Sequence, residues 1–341
     1  MLSPIDFIQD LLNPDLAFLP KALLVAVMSS IVTGIVGTYV VLRGMAFIGD
    51  AVAHAVFPGL AVAFVIQGNL VLGGAIAGVL TAVLVALLAQ NRRLREDSII
   101  GVLFVAAFAL GIVIISQAPG YAGSLQQFLF GSITGILDED VATIAIGGAL
   151  ILAVVFLFHR SFVLVTLDRE MARAAGLRVL ALDVLLYALV ALAVVLSVQM
   201  IGNILVLALL IAPAASARLL TDRLPVMMTI APAVGAASAI LGLYFSWSLD
   251  LPAGGSIVLV ATTIFVLAWL FAPRHGVLGV RLRVRQRRAQ ATASRPPLRR
   301  RIRWNHGSGG GSIEGSRCVS IDPAKPSGSA TAARASSKEF T

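Results

Sequence analysis

Apolar runs of about twenty residues, broken by short polar stretches, recur from about residue 17 to residue 272 of this 341-residue chain. Each is as long as a helix rising about 1.5 Å per residue needs to be to cross a hydrocarbon core roughly 30 Å thick. The pattern predicts about nine spans, near 18–42, 45–66, 70–90, 98–117, 141–158, 180–199, 201–220, 226–246 and 254–272. Lipid offers no water to free backbone groups, so spans of this length are helical. The fold class is all-α: a polytopic helical membrane protein. An N-terminal segment, 1–17, precedes the transmembrane domain, 18–275, and a tail follows over 276–341. The first run, Ala17 to Leu42, passes straight into others without a small-residue cleavage site, so no removable signal peptide is read there.

Polar positions between the spans add two features. The connection Gln117 to Asp140 holds Gly120, Gly123, Gly131 and Gly135, with room for a short re-entrant or surface helix around Leu125 to Ile136. It ends in Asp138-Glu139-Asp140, which either docks a partner or attracts cations, or simply caps the next helix against its dipole. The connection His159 to Val179 places Leu167, Met171, Ala174 and Ala175 at helical spacing, with charges opposite and Gly176 positioned to end a helix. That pattern predicts a short amphipathic helix, either lying on the lipid surface or docking a soluble partner.

Composition agrees with the hydropathy pattern, since 58% hydrophobic against 13% charged residues excludes a soluble globular domain. The net charge of +9 would suggest a nucleic-acid partner if it were spread evenly, but it is concentrated. From Arg274 to Arg303 there is no acid, while Arg281, Arg283, Arg285, Arg287, Arg288, Arg299, Arg300 and Arg301 crowd together. A polybasic run after a last span holds that end in the cytoplasm and touches anionic lipid. Nucleic-acid binding is the weaker reading, because no aromatic platform accompanies the arginines. Beyond Arg303 the Gly/Ser/Ala/Pro-rich sequence cannot bury a core and is expected to be disordered. Cys318, the single cysteine, excludes an intrachain disulfide or thiolate cage.

Arginines also choose an orientation. Arg43, the cluster Arg92, Arg93 and Arg95, the group Arg160, Arg169, Arg173 and Arg178, the pair Arg218 and Arg223, and the tail all fall on one side. The positive-inside rule makes that side cytoplasmic, with the N-terminus outside and the C-terminus inside. Lys21, at the outer end of the first span, can snorkel to the interface.

The chemistry of interest lies inside the second span. Asp50 and His54, four residues apart, share one helix face, and carboxylate plus imidazole is a ligand pair for a first-row divalent metal. Ionisable groups at membrane depth are costly and tend to persist where they line a pathway or meet a partner. Pro58 lacks the N–H that would bond the His54 carbonyl, so one turn offers carboxylate, imidazole and a free carbonyl. The competing reading is a buried pair cross-linking helices, with Pro58 only a kink. Gln199 and Asn203, also four apart, are placed near the outer end, where interhelical hydrogen bonding is favoured over pore lining. The small residues of Ile211-Ala212-Pro213-Ala214-Ala215-Ser216-Ala217 suit close helix packing. No phosphate-binding Gly-Lys-Ser/Thr loop is present, since the lysines are Lys21, Lys325 and Lys338. Either a separate subunit therefore powers it, or it is an ion-driven secondary transporter or a channel.

Three segments now carry a resemblance. Tyr39-Val40-Val41-Leu42-Arg43-Gly44-Met45-Ala46-Phe47-Ile48-Gly49-Asp50 with His54, Pro58 and Gly59 is the first. The second is Asp168 to Gly176, and the third is Gly202-Asn203-Ile204-Leu205-Val206 through Pro213-Ala214-Ala215. Over nearly all of 18–275 the chain resembles the membrane permease family of ATP-binding-cassette importers for zinc, manganese and iron. Ala53 departs from a frequent Ser in that family, and the tail lies outside its pattern. The resemblance implies a permease in the cell membrane that is not itself an enzyme. It also implies a homodimer with the path between subunits, two cytoplasmic ATPase subunits and an external metal-binding protein. Asp50 and His54 would contact the metal in transit, which is cargo; no cofactor is permanently bound. The family's coupling helix falls on Asp168, Arg169, Glu170, Met171, Arg173, Ala174, Gly176 and Leu177. Permeases of siderophore or cobalamin importers and ion-driven secondary metal transporters are the alternatives. Asp, His and carbonyl oxygen accommodate Zn²⁺, Mn²⁺ and Fe²⁺ alike.

Overall fold

A computed structural model describes residues 4–45, 47–89, 96–117, 136–272 and Gly276. Among the described residues there are helices and turns and no strand. A short helix, α1 (Pro4–Leu12), comes first and was not anticipated by the sequence pattern. Phe7 sits edge-on to Tyr244, with centroids 5.5 Å apart, and Trp247 Nε1 donates to Asp10 Oδ2 at 2.9 Å, so α1 is tied down by both apolar and polar contacts.

The spans follow: α2 (Phe18–Leu42), the pair α3 (Phe47–Ala55) and α4 (Phe57–Val65), α5 (Leu70–Leu88), α6 (Glu96–Ile115) and α7 (Asp138–Leu157). After two short helices, α8 (His159–Leu167) and α9 (Arg169–Ala174), come α10 (Val179–Ile201), α11 (Asn203–Leu220), α12 (Leu224–Leu249) and α13 (Ala253–Phe271). Eight of these helices are long and apolar enough to cross a membrane. The ninth expected span, 45–66, is divided: α3 and α4 are nine residues each, with Val56 as the joint. Pro58 accounts for the division, because it supplies no N–H to the preceding turn and its ring crowds the carbonyl four residues back.

Helix α2 is the axis of the bundle. Val25, Val36 and Tyr39 on it are fully buried, and α7, α10, α11 and α12 pack around it. Gly37 lets α11 come close, since a Cβ there would collide with the Leu210 carbonyl oxygen. Ala214, Ser216 and Ala217 are buried in this region, so the small-residue run of α11 serves packing, the membrane use of small side chains. The α2 C-terminus turns at Gly44, whose φ is +70°, with Gly44 N–H bonded to the Val41 carbonyl and Met45 N–H to the Val40 carbonyl. This is the glycine-ended stop that reverses a helix cleanly, and it aims the chain into α3.

At the start of α7, Asp140 Oδ2 accepts from Leu137 N–H at 2.9 Å and Asp138 pairs with Lys21 at 2.7 Å. Asp140 therefore caps this helix start, as the capping reading expects, while Asp138 is engaged by a lysine. The proposed re-entrant helix around Leu125 to Ile136 lies outside the described residues, apart from Ile136. So do Arg92, Arg93 and Arg95 and, beyond Gly276, the tail.

Candidate functional site

His54 occupies the last turn of α3, just before the Val56 joint. Helix α3 approaches α11 through Gly49, where a Cβ would crowd the Leu210 side chain, and α6 covers the joint through Gly111 against Phe57 and Pro58. From α6, Phe104 and Phe108 present to the imidazole at centroid distances of 5.0 Å each, both edge-on. On its polar side, His54 Nε2 stands 3.1 Å from Asn203 Nδ2. With the amide nitrogen donating, Nε2 is the acceptor, and its lone pair is the one a metal would take.

Asn203 is the first residue of α11 and is 1% exposed. It is placed there by Gly202, which ends α10 at φ 81° and ψ 158°, a conformation essentially confined to glycine. The Asn203 Oδ1 atom is buried and has no hydrogen-bond partner among the described residues. Such an orphan costs about 1–3 kcal/mol of desolvation, so it calls for an explanation.

Depth corrects the expectation for Asn203. Helices α2 and α11 run side by side through the Gly37–Leu210 contact, and Ser29 Oγ bonds Ser197 Oγ of α10 at 2.6 Å. Asn203 precedes Leu210 by seven residues and so lies level with about Ser30, roughly 18 Å along α2 from Phe18. It is near mid-span, not at the outer end, because the α10–α11 hairpin turns inside the bundle. The interhelical hydrogen bond expected of Asn203 exists, and its partner is His54. Gln199 belongs to α10, but its side chain lies outside the described residues. The signal for Asn203 was the Gly-Asn pair interrupting an apolar run.

Asp50 is one turn before His54 on α3, as the spacing requires; its side chain lies outside the described residues. The site's described polar atoms are thus an imidazole nitrogen and a buried amide, beside a helix break opposite Pro58. Imidazole nitrogen and amide oxygen are acceptable ligands for Mn²⁺, Fe²⁺ or Zn²⁺.

The predicted inner helix is α9. Asp168 caps it, its Oδ1 accepting from Glu170 N–H and Met171 N–H at 2.9 Å each. Gly176, with φ +81°, closes it: its N–H bonds the Arg173 carbonyl and Leu177 N–H bonds the Ala172 carbonyl. Glu170 and Arg173 are exposed, as is the apolar stripe of Leu167, Met171, Ala174 and Ala175, while Ala172 is buried against the bundle. Arg169 is turned inward to Asp183 Oδ2 at 3.4 Å, a contact the periodicity of the loop did not indicate.

The family model described as ABC 3 transport family matches residues 15–272. The manganese transport system membrane protein MntC of Halalkalibacterium halodurans is 44% identical over 263 residues, 77% of this chain and 90% of that protein. The chelated iron transport system membrane protein YfeC of Yersinia pestis is 36% identical over 271 residues, covering 80% and 92% respectively. Among solved structures, PsaBC from Streptococcus pneumoniae in complex with Fab aligns at TM-score 0.73 and 34% identity, over 82% of this chain and all of that one.

Proposed function

This chain belongs to the ABC 3 transport family, and from that premise we propose that it is the transmembrane permease subunit of an ATP-driven importer of divalent transition-metal ions. It is a multi-pass protein of the cell membrane and a transport subunit, with ATP hydrolysis left to a separate chain. Manganese and iron are the cargoes favoured by the names of its relatives. The observation that carries the reading is the polar pair of half-buried His54 and buried Asn203, near mid-span at a broken helix.

In transit the cation meets His54 Nε2, the Asp50 carboxylate one turn below, and the His54 carbonyl that Pro58 leaves without a helical donor. Asn203 turns its amide so that Oδ1 replaces Nδ2 beside the imidazole. Phe104 and Phe108 keep water off one side of the ring, which strengthens each polar contact. A cation must also leave, so a weak and incomplete coordination shell suits a path better than a closed cage. Protonating His54 takes away its lone pair and weakens metal contact.

Helix α9 is the seat of the ATPase subunit. Its glycine stop and Asp168 cap make a rigid unit, and its exposed Leu167 and Met171 offer the apolar surface that a groove would cover. The assembly is two copies of this chain over two ATPases, with an external metal-binding protein on the opposite face. The arginine-bearing side, including α9, is cytoplasmic, and the N-terminus is outside. Reconstitution tests the reading: proteoliposomes holding this chain with its ATPase, and with the external metal-binding protein on the opposite face, should accumulate free Mn²⁺ or Fe²⁺ only when ATP is supplied on the α9 side. Uptake driven by an ion gradient without the ATPase would establish a secondary transporter instead. Uptake confined to chelated metal would establish a siderophore-type permease.

A further inference from the structure

Two arginines from distant parts of the chain share one carboxylate. Arg43, which follows the last residue of α2, places Nη1 2.6 Å from Asp183 Oδ1, and Arg169 of α9 places Nη2 3.4 Å from Asp183 Oδ2. Arg43 Nε also donates to Thr166 Oγ1 at 3.2 Å, in the last turn of α8, which leads into α9. The halves of this triad are unequal. The Arg43 and Asp183 side chains are 5% and 11% exposed, whereas that of Arg169 is 39% exposed. Clefts of about 490 Å³ and 450 Å³ lie beside the triad, the first lined by Arg169 and Asp183 and the second by Arg43 and Arg169, so the more exposed Arg169 is the member that solvent reaches most.

Stability alone explains this arrangement poorly. A buried ion pair loses to desolvation much of what it gains in attraction, and apolar replacements are often neutral or better. What the triad does have is position. Asp183 lies at the start of α10, Arg169 belongs to the helix exposed for an ATPase, and Arg43 holds the corner where Gly44 turns the chain into α3. From that corner α3 runs directly to Asp50 and His54.

We propose that Asp183 is a positioning residue of the transport cycle, its two oxygens joining α9 to the α2–α3 corner so that displacement of α9 shifts the helix that carries Asp50 and His54. Arg169–Asp183 is the half that tightens or opens, and Arg43–Asp183 is the half that transmits. This rests on the reading of α9 as the ATPase seat.

The test uses the full permease–ATPase complex in proteoliposomes with the external metal-binding protein present, and three readouts: co-purification of the ATPase, ATP hydrolysis, and Mn²⁺ taken up per ATP hydrolysed. Met171→Asp, on the exposed stripe, examines the seat by itself. If the ATPase still co-purifies normally with that variant, the docking reading fails whatever the triad does. Arg169→Gln leaves the buried pair in place; it should keep the ATPase bound and lower uptake per ATP about fivefold or more, the size of an ordinary coupling energy. Asp183→Asn should act in the same direction, and the double variant should be no worse than Asp183→Asn alone, since Asp183→Asn already removes the carboxylate that Arg169 pairs with. Asp183→Glu should recover part of the ratio, which guards against Asp183→Asn failing to assemble. Unchanged uptake per ATP in assembled Arg169→Gln overturns the proposal, and so do strictly additive losses. Loss of ATPase co-purification in Arg169→Gln also overturns it, because the arginine would then serve the seat itself.

Discussion

Replacing Asn203 by leucine separates a metal contact from a simple helix contact. Leucine is close to asparagine in shape, so the α10–α11 turn at Gly202 and the approach of α11 to α3 should survive. The variant removes one hydrogen bond, worth about 1 kcal/mol net, and also removes the buried Oδ1 that has no partner, relieving about 1–3 kcal/mol. His54 Nε2 loses its donor, at a cost of similar size, so the net change in stability is within about 2 kcal/mol and the complex should assemble. Transport is expected to respond differently. If Asn203 Oδ1 turns to the passing cation, its loss forfeits a contact to a charged group of about 1.5–3 kcal/mol, roughly ten- to hundredfold in rate at low metal. The assay is the initial rate of ATP-driven Mn²⁺ uptake below saturation, with ATPase co-purification on the same preparation. Asn203→Asp, which retains an oxygen and adds charge, should bind metal but release it slowly, lowering the maximal rate more than the apparent affinity. Normal uptake by assembled Asn203→Leu would refute the argument and leave Asn203 as packing.

Other expectations follow from the same geometry. Gly176→Val places a β-branched residue at φ +81°, costing about 1–2 kcal/mol locally; it should disturb the end of α9 and lower uptake per ATP, measured with hydrolysis in the same vesicles. Cysteine probes added from outside should label a variant carrying the probe at Gly123 and miss one at Arg93; the reverse would invert the orientation. Truncation after Trp304 should leave assembly and uptake near normal, since the residues beyond lack the apolar content to fold, and lost uptake with intact expression would contradict that.

The spans were largely legible because hydropathy and helix length are coupled by bilayer thickness: 18–42 coincides with Phe18–Leu42, and 254–272 is within one residue of Ala253–Phe271. The α9 stop at Gly176 was equally readable, since a glycine after a short periodic stripe has one common use. What sequence spacing could not supply was register between helices. It set Asn203 near a membrane surface by treating each span as a full crossing, whereas the Ser29–Ser197 and Gly37–Leu210 contacts fix the α10–α11 turn near mid-depth. For the same reason the pair Arg43–Asp183, 140 residues apart, was invisible, although an acid in the first turns of an apolar run facing an arginine at the same membrane edge was a usable hint. Periodicity found the stripe Leu167–Met171 but could not say that the fold leaves it uncovered. Helix α1 escaped because its nine residues are too short for a span and its stability comes from Tyr244 and Trp247.

The central claim is that the metal passes over Asp50 and His54. It is tested most directly by ATP-driven uptake of radiolabelled Mn²⁺ into proteoliposomes holding the complex with the original chain, Asp50→Asn or His54→Ala. Assembly with the ATPase and docking of the external metal-binding protein are measured on the same preparations. Asp50→Asn keeps the side-chain shape without the charge, and His54→Ala removes the imidazole. The account predicts that each variant assembles and docks normally yet takes up metal at least tenfold more slowly, a loss of about 1.4 kcal/mol or more. Normal uptake by both assembled variants would contradict it and make the pair a structural cross-link between helices.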